Sequence, residues 1–279
     1  MCLPGARQGH HCTRRKVWYT RQMMWPLLTL VGCEKLDSAA SLVDGLGDTT
    51  VAQAIFLGAE LPPTLEMDEE SGLYSAFCKV FLAEVTDTSD LTNNPVSDAD
   101  VSFVSSETGK LPVEQTADGE YRLYSYDGLV YEPGQEATVQ FAVGGEEGSL
   151  NVEAPTSPDF TLPREAVARH GLVVDITEGE FTNVVGAVFD VDRGKLVWDS
   201  LPDDVLATAE LNGPDDPVIR EFAIPAEAFP RGSTYVVGLA GLAIGEVDEV
   251  SGVNRALSTF AAGQLGLRLI TVSAQTQPN

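Results

Sequence analysis

The sequence predicts an all-β protein: two tandem antiparallel β-sandwich domains behind a cleaved export signal and a flexible tether. Three observations lead there. From Leu73 onward, apolar and polar residues alternate along successive short runs, the period of two that half-buried antiparallel strands require. Turn residues close those runs at spacings of roughly 8–15 residues, the rhythm of a sandwich or barrel. The stretch Ala154-Pro155-Thr156-Ser157-Pro158, small and polar between two prolines, then divides the β-rich body in two. One larger sandwich spanning both halves is the alternative.

The segment before the body has a different character. Up to Cys33 it holds no Asp or Glu but carries Arg7, Arg14, Arg15, Lys16 and Arg21. An apolar run follows, Met23-Met24-Trp25-Pro26-Leu27-Leu28-Thr29-Leu30-Val31, and ends at small Gly32. Basic segment, short apolar run and small residue stand in the order of a secretory signal. The run falls short of the roughly 20 residues that a bilayer span needs. At its end, Leu30-Val31-Gly32-Cys33 resembles the lipobox of bacterial lipoproteins. The resemblance implies lipidation of the Cys33 sulfur, removal of residues 1–32, and attachment to a membrane through the acyl chains. Each buried methylene of such an anchor contributes about 0.8 kcal/mol, so two or more chains hold durably. Glu34 stands where the family uses Asp to signal inner-membrane retention, which points this chain to the outer membrane of the cell envelope. Initiation at Met23 or Met24 is an alternative that would discard every basic residue of the leader, and Thr13-Arg14-Arg15-Lys16-Val17-Trp18 faintly resembles a twin-arginine signal.

The chain carries 17 basic and 42 acidic residues; removing the five leader cations leaves 12 against 42, a net charge of −30. Such a field repels nucleic acid and anionic headgroups, so a nucleic-acid partner is excluded. A mature length of about 245 residues allows about two domains. Of four cysteines, Cys2 and Cys12 leave with the leader and Cys33 is the acylation site, so Cys78 has no partner for an internal disulfide. Within Tyr74-Ser75-Ala76-Phe77-Cys78-Lys79-Val80-Phe81-Leu82 it reads as a small core residue rather than a reactive thiol.

Residues 33–72 read as the tether, with an r.m.s. reach of about 35 Å. Within it, Thr50-Val51-Ala52-Gln53-Ala54-Ile55-Phe56-Leu57 reads as a short docking helix, and Pro62-Pro63 as a break. The first sandwich occupies 73–157. Its strands show in the alternation of Val101 and Phe103, of Tyr121 and Leu123, of Ala137, Val139, Phe141 and Val143, and of Leu150, Val152 and Ala154. The second sandwich occupies 158–275. It opens on Pro163-Arg164-Glu165-Ala166-Val167-Ala168-Arg169-His170-Gly171, read as a short helix with Pro in its first turn and Gly past its end. Strand-like runs follow at 172–176, 184–191, 195–198, 218–224, 234–243 and 265–273. The stretch from Ile224 through Pro225 and Gly232 to Val237 echoes the stretch from Tyr131 through Pro133 and Gly134 to Val139, as expected of two related sandwiches.

Three stretches, Pro95-Val96-Ser97-Asp98-Ala99-Asp100-Val101-Ser102-Phe103, Asp118-Gly119-Glu120-Tyr121-Arg122-Leu123 and Tyr131-Glu132-Pro133-Gly134, resemble the recurring pattern of bacterial Ig-like and carboxypeptidase-regulatory-like domains over about residues 72–157. The resemblance implies an Ig-like sandwich and, because such domains host unrelated roles, no activity.

Catalysis needs a nucleophile with a base, a carboxylate pair, a metal cluster or a phosphate loop. After the leader, which holds His10 and His11, the one histidine is His170, at a predicted helix end where it caps carbonyls or faces water. No Gly-x-Ser-x-Gly, His-Glu-x-x-His, Walker or dinucleotide motif is present. The chain is therefore read as no enzyme and as needing no cofactor. Calcium is the ion its acids would suit, because oxygen ligands suffice. Asp190 and Asp192 fall on one face of a strand with Arg193 as the competing counter-ion; Asp98-Ala99-Asp100 and the pairs Asp203-Asp204 and Asp215-Asp216 are further acidic loops. The other lead is aromatic. With Tyr121 facing the core, Arg122, Tyr124 and Tyr126 share the opposite face, as residues that anchor an envelope protein or stack on a glycan, or that cover the sheet where another domain packs. The resulting expectation is a non-catalytic, lipid-anchored envelope protein that displays, supports or binds. The competing classes are a calcium- or ligand-binding sandwich and a hydrolase with an unrecognised site.

Overall fold

The computed structural model describes residues 49–60, 74–85, 94–200, 211, 216–247, 253–255 and 257–274. Cys33 and its lipobox lie outside the described residues, as do Asp203, Asp204 and Asp215.

The described residues are all-β. The strands are β1 (Thr49–Ala59), β2 (Ala76–Val85), β3 (Asp100–Ser105), β4 (Gly109–Pro112), β5 (Glu114–Ala117), β6 (Glu120–Tyr124), β7 (Glu136–Val143) and β8 (Glu146–Glu153). Beyond the Pro-rich boundary come β9 (Asp159–Thr161), β10 (Ala166–Val167), β11 (Leu172–Glu178), β12 (Val184–Asp190), β13 (Lys195–Asp199), β14 (Glu221–Ile224), β15 (Ser233–Ile244), β16 (Glu246–Val247) and β17 (Thr259–Ser273). The alternating runs of the sequence are these strands.

One main sheet, in the order β13-β12-β15-β17-β1-β2-β6-β5, runs through the whole molecule. Two smaller sheets, β16-β8-β7-β3-β4 and β14-β11-β9, cover the same face of it side by side. The first core lies between β1, β2 and β6 and the five-stranded sheet; Phe56, Phe103, Tyr121, Leu150 and Phe260 fill it. The second lies between β12, β15 and β17 and the three-stranded sheet, around Phe160, Val174, Ile224, Phe229 and Tyr235. Strand β17 supplies both: Phe260 and Ala262 enter the first core, Ile270 and Val272 the second. Its early half pairs in parallel with β1, and residues 261–272 pair antiparallel with β15. At the far edge the chain leaves the five-stranded sheet at Pro112, buries Val113 and joins the main sheet at Glu114, so β4 and β5 close one side of the first sandwich.

Two expectations are corrected. The stretch 50–57 is not a docking helix and not part of a tether: it is β1, the strand between β17 and β2. Its apolar run has no polar phase because both faces are covered, Phe56 and Ala54 in the first core and Ile55 and Leu57 in a third cluster on the reverse of the main sheet with Val185, Ala240, Leu242 and Ala261. A strand buried on both faces reads as a continuous apolar run. The stretch 163–171 is likewise no helix. Ala166 and Val167 pair with Val272 and Ser273 of β17, and Arg169 turns the chain at φ 63°. Ala166 and Ala168 both go inward, the spacing of two that a strand imposes.

Close packing between the layers requires glycine at one point in β1. A Cβ added at Gly58 would fall 2.1 Å from Cγ of Tyr131, whose ring packs 4.7 Å from Phe56. Gly58→Ala should therefore cost about 1–3 kcal/mol through overpacking, read as a lower urea midpoint with an unchanged slope.

Candidate functional site

Strand β6 alternates as its sequence demands. Tyr121 and Leu123 enter the first core, and Glu120, Arg122 and Tyr124 face out. Tyr121 fixes the strand from below: its hydroxyl donates to the carbonyl of Val96 at 2.9 Å and accepts the N–H of Ala99 at 2.9 Å. Burial raises the pKa of this phenol, so it stays neutral.

The neighbouring strand completes the outer face. The register sets Phe77 opposite Tyr124, Lys79 opposite Arg122 and Phe81 opposite Glu120. Side chains directly opposite in an antiparallel pair touch. Here they divide by chemistry into a charged row and an aromatic group. In the row, Glu120 accepts from Lys79 Nζ at 3.0 Å and Arg122 Nη2 at 2.5 Å. Burial alone would raise the Glu120 carboxyl, but the hydrogen bond and charge of Lys79, then those of Arg122, hold it below its ordinary value. Arg122 Nη1 also donates to the Tyr124 hydroxyl at 3.4 Å.

In the aromatic group, Tyr124 is central. Its ring centroid lies 4.5 Å from that of Tyr74, 5.4 Å from Phe77 and 5.1 Å from Tyr126, which stacks on it at 19°. Tyr126 arrives on a 3-10 turn, Ser125–Asp127, that follows β6. The Asp127 carboxylate accepts the Tyr124 N–H at 3.2 Å, and Gly128, at φ 93°, closes the turn. Tyr126, at the end of the stack, is 57% exposed.

The sequence placed Arg122 and Tyr124 correctly on one face. Tyr126 joins them, through the turn rather than by strand alternation. Tyr131, close by in sequence, lies instead in the core against Phe56, its hydroxyl donating to the carbonyl of Pro155 at 2.8 Å. Tyr74, Phe77, Lys79 and Glu120 were missed as members. Their signal is a cross-strand register, and one strand read alone does not contain it.

At the second candidate, Asp190 with Asp192, Asp190 is held in an ion pair with Arg231. Asp190 ends β12, is fully buried, and accepts from Arg231 Nε at 3.1 Å and Nη2 at 3.0 Å. The Ser233 hydroxyl lies 2.8 Å from its Oδ1 and 2.6 Å from Oδ2 of Asp192, so the two acids do converge. Burial alone would raise the Asp190 carboxyl, but the Ser233 hydrogen bond and Arg231 bring it below its ordinary value. Arg231 is the closer counter-ion; the expected Arg193 joins it at longer range, its Nε 4.0 Å from Oδ2 and its backbone N–H donating to Oδ1 at 3.3 Å. A calcium ion on Asp190 would have to displace a guanidinium. Among the described residues no three His, Cys, Asp or Glu side chains gather to hold a metal.

His170 is exposed in the turn after β10, with its backbone N–H bonded to the carbonyl of Val167 at 3.2 Å. Cys78 lies in the first core, where burial drives its thiol pKa up and keeps it protonated.

No family model matches the chain, and no curated protein matches it. Solved structures that align include a biofilm-associated protein's BSP domain, at 12% identity over 72% of this chain with a TM-score of 0.22. The FN1–FN3 domains of chicken CNTN1 align at 6% identity over 82% of this chain with a TM-score of 0.23. The alignments span 28% and 66% of those chains. Superpositions this slight leave the function to be argued from the residues.

The Asp190 pair makes a pH-dependent prediction. Its folded-state pKa is lowered, so its stabilisation is present above the unfolded value of about 3.9 and lost as pH falls through the folded value. Asp190→Asn should lower stability at pH 7 by about 1–3 kcal/mol, and the gap to the parent chain should narrow below about pH 3.9. Urea midpoints across that range measure both.

Proposed function

We propose that this chain is a non-catalytic, lipid-anchored module of the bacterial cell envelope that presents the outer face of β2 and β6 to a binding partner. The observation that carries the reading is the composition of that face: stacked tyrosines beside a charge row whose members already hold one another in place. Tyr and Arg are the residues that concentrate binding energy, and side chains fixed beforehand lose less entropy on binding. His170, an exposed side chain in a turn, offers no positioned base for a hydrolase.

The anchoring half of the proposal is supported by Leu30-Val31-Gly32-Cys33 at the end of a basic and apolar leader. Among the described residues no helix is long and apolar enough to cross a membrane. An acylated Cys33 would leave the acidic body outside the bilayer, on the outer membrane by the evidence of Glu34.

Expression of the full chain in a bacterial host tests this. The mature protein should have an intact mass that begins at an acylated Cys33 and should partition into the detergent phase, whereas Cys33→Ser should stay in the aqueous phase with its leader uncleaved. A parent chain that retains its first thirty-two residues and stays aqueous would remove the anchor from the proposal.

A further inference from the structure

The outer face of β2 and β6 carries two chemistries side by side, and their combination selects among possible partners. The aromatic end is Tyr74, Phe77, Tyr124 and Tyr126; the polar end is Lys79, Glu120 and Arg122. Successive outward residues of β6 stand about 7 Å apart, so both ends lie within reach of one small ring system and its neighbour. We infer that this face is a binding platform for a neutral carbohydrate chain, a sugar ring laid against the exposed Tyr126 at the end of the aromatic group and its hydroxyls bonded to Arg122, Glu120 and Lys79. The inference rests on the reading of the face as a binding surface and adds what it binds.

Charge argues for a neutral occupant. The whole chain carries a net charge of −25, which opposes a polyanion. Within the row, Glu120 offsets one of the two cations, Lys79 and Arg122, and the single net positive charge that remains is small against that field. What the row retains is hydrogen-bonding capacity of both kinds: further N–H donors on Lys79 and lone pairs on the Glu120 carboxylate. A hydroxyl both donates and accepts, so a polyol matches both kinds of group without bringing a further charge to the face. The aromatic end favours the same class. Tyrosine combines a flat apolar face with a polar tip, and the apolar C–H face of a sugar covers the first while its hydroxyls meet the second. A protein partner of ordinary size would need about 800 Å² with an apolar centre, and here four rings give way directly to charges.

Native affinity electrophoresis of the purified full chain tests the assignment. The gels contain a neutral β-glucan, a galactomannan or an arabinoxylan, with alginate as the anionic probe. The chain should be retarded by at least one neutral polysaccharide and not by alginate. Tyr126→Ala, at an exposed turn position, should weaken that retardation at least tenfold while leaving the melting temperature within a degree or two. Glu120→Gln should weaken it too, and Val173→Ala, at an exposed apolar position of β11, should not. Retardation by alginate alone, or retardation that survives Tyr126→Ala, would overturn the assignment. No retardation in any gel would overturn it as well. If in that case a purified envelope protein bound the parent chain and not Tyr126→Ala, the face would remain a binding surface with a different partner. Loss of both would remove the binding reading itself.

Discussion

The structure depends on one long strand pairing correctly along both edges. Strand β17 is fifteen residues long, and the inward side of its early half belongs to one core while that of its late half belongs to the other. Alternation makes this possible only if no residue is inserted or skipped between Phe260 and Val272, since a slip of one would turn each inward side chain to the opposite face. Two neighbours hold that register. Strand β15 runs antiparallel along residues 261–272, and β1 lies parallel against its first half. Strand β1 is therefore wedged between β17 and β2, paired on both edges and buried on both faces.

This arrangement sets the mechanical context of the candidate site. The outer face of β2 and β6 sits on strands whose inward residues, Cys78, Val80, Leu82, Tyr121 and Leu123, are almost wholly buried. Tyr121 ties β6 to the segment before β3, and Asp127 ties the turn that presents Tyr126. Rings and charges on such a base approach a partner with their positions set, which limits the entropy that binding costs. An anchor pulling at the amino-terminal end would load β1, whose bonds to both neighbours resist together.

What the sequence reveals and hides follows from the same geometry. Strands with one wet face announce themselves: Val101 with Phe103, Tyr121 with Leu123, and Ala137 to Val143 alternate because half of their side chains meet water. Strand β1 hides because neither face does. Ala166 and Val167 hide because two residues are too few for a period, and Pro163 and Gly171 around them imitate helix ends. In the candidate site, strand parity alone placed Arg122 and Tyr124 together. Lys79 and Phe77 join them through pairing with a strand more than forty residues earlier, which local pattern does not encode. Asp190 teaches the same lesson, since its closest cation, Arg231, is 41 residues distant, while the neighbouring Arg193 that the sequence offers is the longer contact.

If one strand truly serves both cores, they should unfold as one. Phe260→Ala in the first core and Ile270→Ala in the second, each in the full chain, test this by urea unfolding followed with hydrogen-exchange mass spectrometry on β7 and β11. The account predicts a single transition common to both strands, its midpoint lowered by either variant. Two separate transitions, each shifted by only one of the variants, would contradict it and make the halves independent domains.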